Sequence, residues 1–284
     1  MESIDQLAPY PEVKLVLQKL LEGVRSILGG HFVGMYLHGS LAAGGFDRDS
    51  DVDFLVATTD ELPADLVSAL RELHGRIAKL DSWCATQLEG SYIPLQALRH
   101  FDPVHALHLH IDRGEGEGLK MMEIDGPALS QAWWGGWVLL RDVLWEKGIT
   151  LAGPDPRTLI DPVSPDDRRK AMLALLHGWV EPLLGHPSAL GNRGYQSYTV
   201  LTLCRILYTL QLGTVVSKRV ATRWAQDMLE PRWVPLISRA WTGRKAPGQT
   251  SEVAEVNETL EFIRFTLERS QGFEAAAEKT ERTR

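Results

Sequence analysis

Two aspartates separated by one residue, Asp51 and Asp53, follow a Gly39-Ser40 pair in this 284-residue chain. Residues two apart on a strand project from the same face, so both carboxylates would be presented to one place. Two like charges held that close repel each other unless a cation lies between them. Mg²⁺ accepts carboxylate oxygens and keeps positions for phosphate oxygens. The pair therefore predicts a magnesium site that handles a phosphate group.

The Gly39-Ser40 pair ends a short apolar run and predicts the contacts to that phosphate. A glycine lets the backbone approach a ligand closely, and free N–H groups beside a hydroxyl suit an anion. Ser50, directly before the first aspartate, adds a second hydroxyl. An Asp-x-Asp alone is also common in a solvated turn, and a Gly-Ser alone carries little information. The combination, opening an apolar strand, favours the metal and phosphate site.

Composition limits the classes of protein that this chain could be. Hydrophobic residues make up 44% and charged residues 24%, as in an average globular protein. A net charge of −7 argues against a general nucleic-acid binder, so no nucleic-acid partner is expected. The N-terminus lacks the apolar segment of a signal peptide, and no apolar run approaches the roughly 20 residues that span a bilayer. We therefore expect a cytoplasmic protein without a membrane partner. Cys84 and Cys204 are too far apart for a zinc or disulfide pattern.

The order of predicted elements indicates an α+β fold: a mixed-sheet domain followed by an all-α domain. In the first part, the sequence predicts helices at 11–29 and 64–80 and strands at 32–37, in the second half of DRDSDVDFLVAT, at 83–95 and at 105–111. In the second part it predicts helices at 166–184, 198–212, 218–229 and 252–270. We therefore predict domains at 1–157 and 158–271, and a charged, disordered tail at 272–284.

Three stretches carry a resemblance to a known family. They are HGSLAAGGFDRDSDVDFLV, GITLAGPDPRTLIDPVSPDD and VLTLCRILYTLQLGTVVSKRVATRWAQDML. The first resembles the signature of the nucleotidyltransferase superfamily that includes DNA polymerase β. Together they look closest to the aminoglycoside adenylyltransferases that act on streptomycin and spectinomycin. The resemblance implies a nucleotidyltransferase mixed-sheet domain followed by a helical-bundle domain, and an adenylyltransferase activity with ATP as co-substrate.

The resemblance assigns the general base to Glu89, on the strand after the second helix. Its apolar neighbours in QLEGSYIPL would leave its carboxylate partly buried and raise its pKa, which suits a base. An exposed strand residue is the alternative. We also count Glu89 with Asp51 and Asp53 among the predicted metal ligands.

Two basic residues of the second domain are implied to contact the nucleotide. Arg205 lies in an apolar helix, where a buried guanidinium needs either an internal carboxylate or a phosphate. Lys218 follows Ser217, a predicted N-cap. A lysine in the first turn opposes the helix dipole, and a bound anion would be held by both the helix end and the ammonium.

The sequence indicates the type of reaction more clearly than it indicates the acceptor. An aspartate that helps to hold streptomycin in the family is replaced here near Tyr195. Trp134, Trp179 and Tyr195 are therefore predicted to contact the acceptor by stacking on sugar rings or enclosing a cation; packing between domains is the alternative for the tryptophans. His108 and His110 share a strand face, but without a third type of ligand they do not favour zinc.

The sequence thus predicts a magnesium-dependent transfer of AMP from ATP to a hydroxyl of a small, in some cases cationic, acceptor of the aminoglycoside type. ATP would bind in a cleft between the domains of a monomer. Alternatives are the same chemistry on another antibiotic, a metabolite or a protein hydroxyl, and a nucleotide sensor without catalysis.

Overall fold

The computed structural model describes residues 10–48, 50–100, 108–111, 120–122 and 127–281, of which 120–122, 127–135 and 275–281 are described by their backbone. The strands are β1 Phe32–Leu37, β2 Val52–Thr58, β3 Leu88–Pro94, β4 His108–Ile111, β5 Lys120–Met122 and β6 Ile149–Ala152. The helices are α1 Pro11–Leu28, α2 Gly39–Ala42, α3 Ala64–Ile77, α4 Leu95–Arg99, α5 Pro127–Lys147, α6 Pro165–Leu175, α7 Arg193–Leu212, α8 Lys218–Met228, α9 Val234–Gly243 and α10 Val253–Glu281.

A six-stranded mixed sheet in the order β5-β4-β3-β2-β1-β6 forms the centre of the first unit. Strands β2 and β3 are parallel, and α3 makes the crossover that a parallel pair requires. The other neighbouring pairs are antiparallel. The C-terminal end of β1 and the N-terminal ends of β2 and β3 therefore lie at the same edge of the sheet. The Gly-Ser and Asp-x-Asp motifs meet at this edge.

One face of the sheet packs against α1 and α3. Both helices carry an apolar stripe at helical spacing, which is why they form on this face. The shared core includes Val16, Leu20, Leu37, Phe54, Val56, Leu70 and Leu73. Because Val52 and Phe54 of β2 point into this core, the residue between them, Asp53, points to the opposite face.

The second unit is helical and has its own core. Helix α7 lies at its centre, with most of its residues buried against the surrounding helices. The core includes Leu176, Leu201, Ile206, Ala225, Trp233, Ile237, Phe262 and Ile263. The sequence predicts Trp224 and Trp233 as packing residues, and both pack here, Trp233 against Phe262 and Trp224 against Tyr208. None of the helices in the described part of the chain is long and apolar enough to cross a membrane.

The boundary between the units differs from the contiguous division at residues 157 and 158 that the sequence predicts. The first unit comprises 1–124 and 143–162, and the second comprises 125–142 and 163–284. The reason is α5, which crosses the boundary. Val138 and Leu139 of this helix belong to the core of the helical unit, whereas its last residues belong to the sheet unit. A segment far from the other helices along the chain thus completes their core.

Most of the predicted elements are present, with changed ends. The predicted strand at 83–95 is shorter, since β3 begins at Leu88. The predicted helix at 166–184 ends at Leu175 and gives way to a π turn, Leu176–Val180. The prediction that the chain is disordered from residue 272 is wrong up to Glu281, because α10 continues to that residue.

Candidate active site

Asp53 and Glu89 stand opposite each other at the sheet edge where the motifs meet. Strand β2 pairs in parallel with β3, and the register aligns Asp53 with Glu89. Directly aligned residues on neighbouring strands project from the same face. Both side chains are half-buried. The register therefore brings two carboxylates from sequence-distant strands to one place.

Asp51 lies just before the strand rather than on it. The pairing with β3 begins at Val52, whose N–H donates to the carbonyl of Gln87 at 2.8 Å. The prediction that both aspartates lie on the strand is therefore wrong for Asp51, because the Val52 pairing fixes the start of the strand one residue later. Asp51 remains next to the same edge.

Gly39 packs directly against the Asp53 carboxylate. Its φ is +62°, in the left-handed region that favours glycine, and a β-carbon placed on it would overlap with Oδ2 of Asp53. The next residue along, Ser40, has a buried hydroxyl with no hydrogen-bond partner among the residues that the structure describes. A buried hydroxyl in such a position calls for a partner, and a ligand oxygen would provide one.

The connection that carries Ser50 is held at two points. Phe46 packs edge-to-face against Tyr10, whose hydroxyl donates to the Phe46 carbonyl at 3.2 Å. The Ser50 hydroxyl donates to the Asp47 carboxylate at 2.7 Å and accepts from the Asp47 N–H at 3.1 Å. Ser50 is predicted to bind phosphate; in the structure its hydroxyl closes the turn that precedes Asp51.

His38 directly follows β1 and His110 lies on β4, the strands on either side of β2 and β3; the sequence did not single out His38. The His38 N–H donates to the Asp53 carbonyl at 3.2 Å. Burial lowers the pKa of His38 to about 4, a hydrogen bond with the Phe54 backbone opposes that shift, and His110 adds to it. His38 is therefore neutral at neutral pH. On β4, His110 Nδ1 lies 2.8 Å from the Ser91 hydroxyl, two residues after Glu89.

The predicted metal ligands form a partial donor set. No group of three or more His, Cys, Asp or Glu in the described ranges is arranged to hold a metal ion. Mg²⁺, however, is commonly bound by one or two carboxylates plus substrate phosphates. The carboxylates at this edge fit that mode of binding.

The predicted basic residues lie in the helical unit. Arg205 is half-buried on α7, among buried apolar neighbours such as Leu201 and Cys204. Ser217 is the N-cap of α8, as the sequence predicts, and accepts from the Val220 N–H at 3.4 Å. Lys218 is the first residue of α8. Its ammonium nitrogen lies 4.2 Å from the centre of the Tyr198 ring.

Two of the three predicted acceptor residues touch each other. Trp179 Nε1 donates to the Tyr195 hydroxyl at 3.1 Å, and the two rings pack edge-to-face. The side chain of Trp134 lies outside the described residues. Trp137, on the same helix as Trp134, is 3% exposed and belongs to the buried part of that helix. Tyr198, which the sequence did not single out, also packs against Trp179; its spacing of three residues from Tyr195 on α7 is the signal that could have indicated it.

Comparison with known proteins assigns a family to each part of the chain. The family described as "Nucleotidyltransferase domain" matches residues 17–94, which contain the Gly-Ser, Asp-x-Asp and Glu89 positions. The family described as "Aminoglycoside adenylyltransferase, C-terminal domain" matches residues 158–269, which contain Arg205 and Lys218. The sheet unit and its edge thus define a nucleotidyltransferase. The chain belongs to the nucleotidyltransferases that carry an aminoglycoside adenylyltransferase C-terminal domain.

Curated relatives and a solved structure match over most of their length. Spectinomycin 9-adenylyltransferase of Staphylococcus aureus is 28% identical over 78% of this chain and 82% of its own. An aminoglycoside (3'')(9) adenylyltransferase of Escherichia coli is 24% identical over 93% of this chain and 98% of its own. The crystal structure of a spectinomycin adenyltransferase from Enterococcus faecialis with ATP and spectinomycin gives a TM-score of 0.61 at 17% identity, covering 89% of this chain and 98% of that one. This last likeness shows that the fold is shared.

Proposed function

We propose that this nucleotidyltransferase transfers AMP from ATP to a hydroxyl of an aminoglycoside-type antibiotic, with spectinomycin and streptomycin as the first candidates. The curated relatives are named for adenylyl transfer to spectinomycin or to aminoglycosides, and the C-terminal family is named for the same activity. The reaction needs ATP and a small hydroxylated acceptor. A monomer working in the cytoplasm, where ATP is supplied, is part of the proposal.

The alignment of Asp53 with Glu89 is the observation that carries this proposal. In the proposed reaction, Glu89 takes the proton from the acceptor hydroxyl. The hydroxyl oxygen then forms a bond to the α-phosphorus of ATP, and the bond to the β-phosphate oxygen breaks, releasing pyrophosphate. Asp51 and Asp53 are the residues proposed to hold Mg²⁺, which when bound supplies positive charge for the phosphate oxygens. In this proposal Asp53 binds the metal, and Glu89, aligned with it on the neighbouring strand, accepts the proton.

The phosphate contacts are proposed to come from both units. In the sheet unit, the close packing of Gly39 and the buried hydroxyl of Ser40 support this role, and Ser50 is assigned to it as well. In the helical unit, the forked guanidinium of Arg205 and the ammonium of Lys218 are the assigned groups. Lys218 follows an N-cap, and an anion there would offset the repulsion between the helix end and the lysine.

The acceptor is proposed to be recognised by aromatic side chains. Trp179 and Tyr195 form a hydrogen-bonded pair, and Trp134 is assigned to the same role from the sequence. Aromatic faces stack on the C–H faces of sugar rings and attract cations without a carboxylate. The aspartate that holds streptomycin in the family is replaced near Tyr195. We therefore expect spectinomycin-like acceptors to be favoured over strongly cationic ones.

A pyrophosphate-release assay with ATP, Mg²⁺ and a panel of antibiotics tests the proposal. We expect release that depends on spectinomycin or streptomycin, and a product heavier by one AMP by mass spectrometry. Asp53→Asn should abolish release, whereas the matched control Asp60→Asn, an exposed carboxylate after β2, should retain it. Release without AMP on any antibiotic would point to another acceptor. ATP binding without release under any condition would support the nucleotide sensor instead.

A further inference from the structure

Lys218 does not stand alone at the start of α8. Its ammonium nitrogen lies 4.2 Å from the centre of the Tyr198 ring, within the range of a cation–π contact. Tyr198 comes from α7, a different helix, and 50% of its surface is exposed. The exposed ring therefore offers its face to the ammonium at the unit's surface.

The Tyr198 ring is itself held in place by a second aromatic residue. Trp179, on the π turn before α7, packs edge-to-face against Tyr198 with ring centres 5.4 Å apart. Trp179 is fixed in turn by its hydrogen bond to the Tyr195 hydroxyl at 3.1 Å. Tyr195, Trp179 and Tyr198 thus form a connected group, here called the aromatic stack, that ends at Lys218.

The position of Lys218 makes such support necessary. A lysine in the first turn of a helix is repelled by the positive end of the helix dipole, and its four-carbon stem is flexible. The negative face of the Tyr198 ring attracts the ammonium and limits its orientations.

We propose that Tyr198 is a positioning residue for Lys218, holding the ammonium in the orientation in which it meets the triphosphate of ATP. The packing of Trp179 in the aromatic stack holds the Tyr198 ring in place for this purpose. This inference rests on the proposed phosphate contact of Lys218. It assigns Tyr198 to nucleotide binding and gives the stack a role on the nucleotide side.

The test is a double-mutant cycle on Tyr198 and Lys218, read out as KM for ATP, KM for the acceptor and kcat. Tyr198→Leu removes the ring and should raise KM for ATP about two- to fivefold, the factor that a cation–π contact at a partly exposed site supplies. Tyr198→Phe keeps the ring and should restore the wild-type value. In a Lys218→Met background, Tyr198→Leu should add nothing further to KM for ATP.

A matched control comes from the same helix. Tyr208 packs edge-to-face against Trp224 with ring centres also 5.4 Å apart, so Tyr208→Leu removes an equivalent ring contact. This control should leave KM for ATP unchanged, and thermal melting should show that all variants are folded.

The outcomes separate the inference from the proposed function. If Tyr198→Leu and Lys218→Met raise KM for ATP independently, so that their effects multiply, the positioning role of Tyr198 is wrong and the phosphate contact of Lys218 stands. If Tyr198→Leu raises KM for the acceptor alone, Tyr198 contacts the acceptor and the inference is likewise wrong. If Lys218→Met leaves KM for ATP unchanged, the phosphate contact itself is wrong, and the inference falls with it.

Discussion

The carboxylate of Asp53 occupies the place where a β-carbon on Gly39 would stand. Two requirements meet at this glycine. Its φ of +62° lies in the left-handed region, and the space beside its α-carbon is filled by a residue assigned to catalysis. The turn after β1 therefore packs closely against the start of β2, with no room for a side chain at residue 39. A change at residue 39 should act directly on the position of Asp53.

Gly39→Ala should lower kcat/KM by at least about 100-fold, since a displacement of about 1 Å at a reacting group has effects of that size. The measurement is the initial rate of pyrophosphate release at several ATP concentrations. Gly44→Ala is the matched control, because Gly44 also has a positive φ, +69°, but has nothing within 4 Å of an added β-carbon. Equal losses of kcat/KM in the two variants would show that backbone strain, and not the contact with Asp53, causes the effect.

Glu89→Gln separates the two roles that the sequence gives to this residue. As a general base, Glu89 should affect kcat, which we expect to fall about 10²- to 10⁴-fold, while KM for ATP and the dependence on Mg²⁺ concentration stay close to wild type. Glu61→Gln, an exposed carboxylate between β2 and α3, serves as the control and should be fully active. A raised requirement for Mg²⁺ in Glu89→Gln would instead identify Glu89 as a metal ligand.

The sequence predicted best those elements whose signal is local. Helix α1 and strand β1 have an apolar pattern of their own and end at glycines or at the Gly-Ser pair, and both are confirmed. Helix α5 was missed because its WWGGW segment combines two glycines with apolar residues on all sides, so no stripe reveals a helix. Strand β6 has four residues and owes its place to β1, more than a hundred residues earlier in the chain.

The same distinction applies to the site. Motif spacing indicated Asp51, Asp53 and Gly39, because these residues are close together in the chain. The alignment of Asp53 with Glu89 depends on the register of two parallel strands, and the contact between Tyr198 and Lys218 joins two helices. Neither relation has a period or a spacing in the sequence. They follow from tertiary packing, which a single sequence does not display.

Glu255 should make the helical unit sensitive to acid. Burial would raise its pKa, but hydrogen bonds from the Glu252 N–H at 3.0 Å and from Arg193 at 2.7 Å outweigh burial and lower the pKa overall. A lowered pKa in the folded state stabilises the protein above the unfolded-state pKa, and this contribution is lost as the pH falls through the folded-state value.

We therefore expect Glu255→Gln to reduce the free energy of unfolding by about 1–2 kcal/mol at pH 7, the range for a partly screened, charge-assisted hydrogen bond, and by much less near pH 3. Urea unfolding at the two pH values measures this difference. Glu261→Gln, an exposed residue of the same helix, is the control and should change little at either pH. A loss of the same size at both pH values would show that the charge of Glu255 does not matter.

His177 predicts a dependence on pH of the opposite sign. Burial alone would lower the pKa of His177, but its ring nitrogens lie 2.6 Å from a Glu181 carboxylate oxygen and 2.9 Å from one of Glu274, and these contacts raise the pKa overall. The protonated ring thus links the π turn, which carries Trp179, to the last helix. A raised pKa in the folded state adds stability below the unfolded-state pKa, and that stability is lost as the pH rises through the folded-state value.

His177→Gln should accordingly lower Tm at pH 5.5 and have a smaller effect at pH 9, where the wild-type ring is neutral as well. The loss at pH 5.5 should correspond to about 0.5–1 kcal/mol, because all three side chains are about one-third to one-half exposed and water screens the pair. His186→Gln is the control for replacing a histidine of the same unit, because His186 is exposed and bonds to the Pro182 carbonyl of its own turn. If the His177 variant loses equal stability at pH 5.5 and pH 9, the ring acts as a neutral hydrogen-bonding group, and the link to α10 is independent of charge.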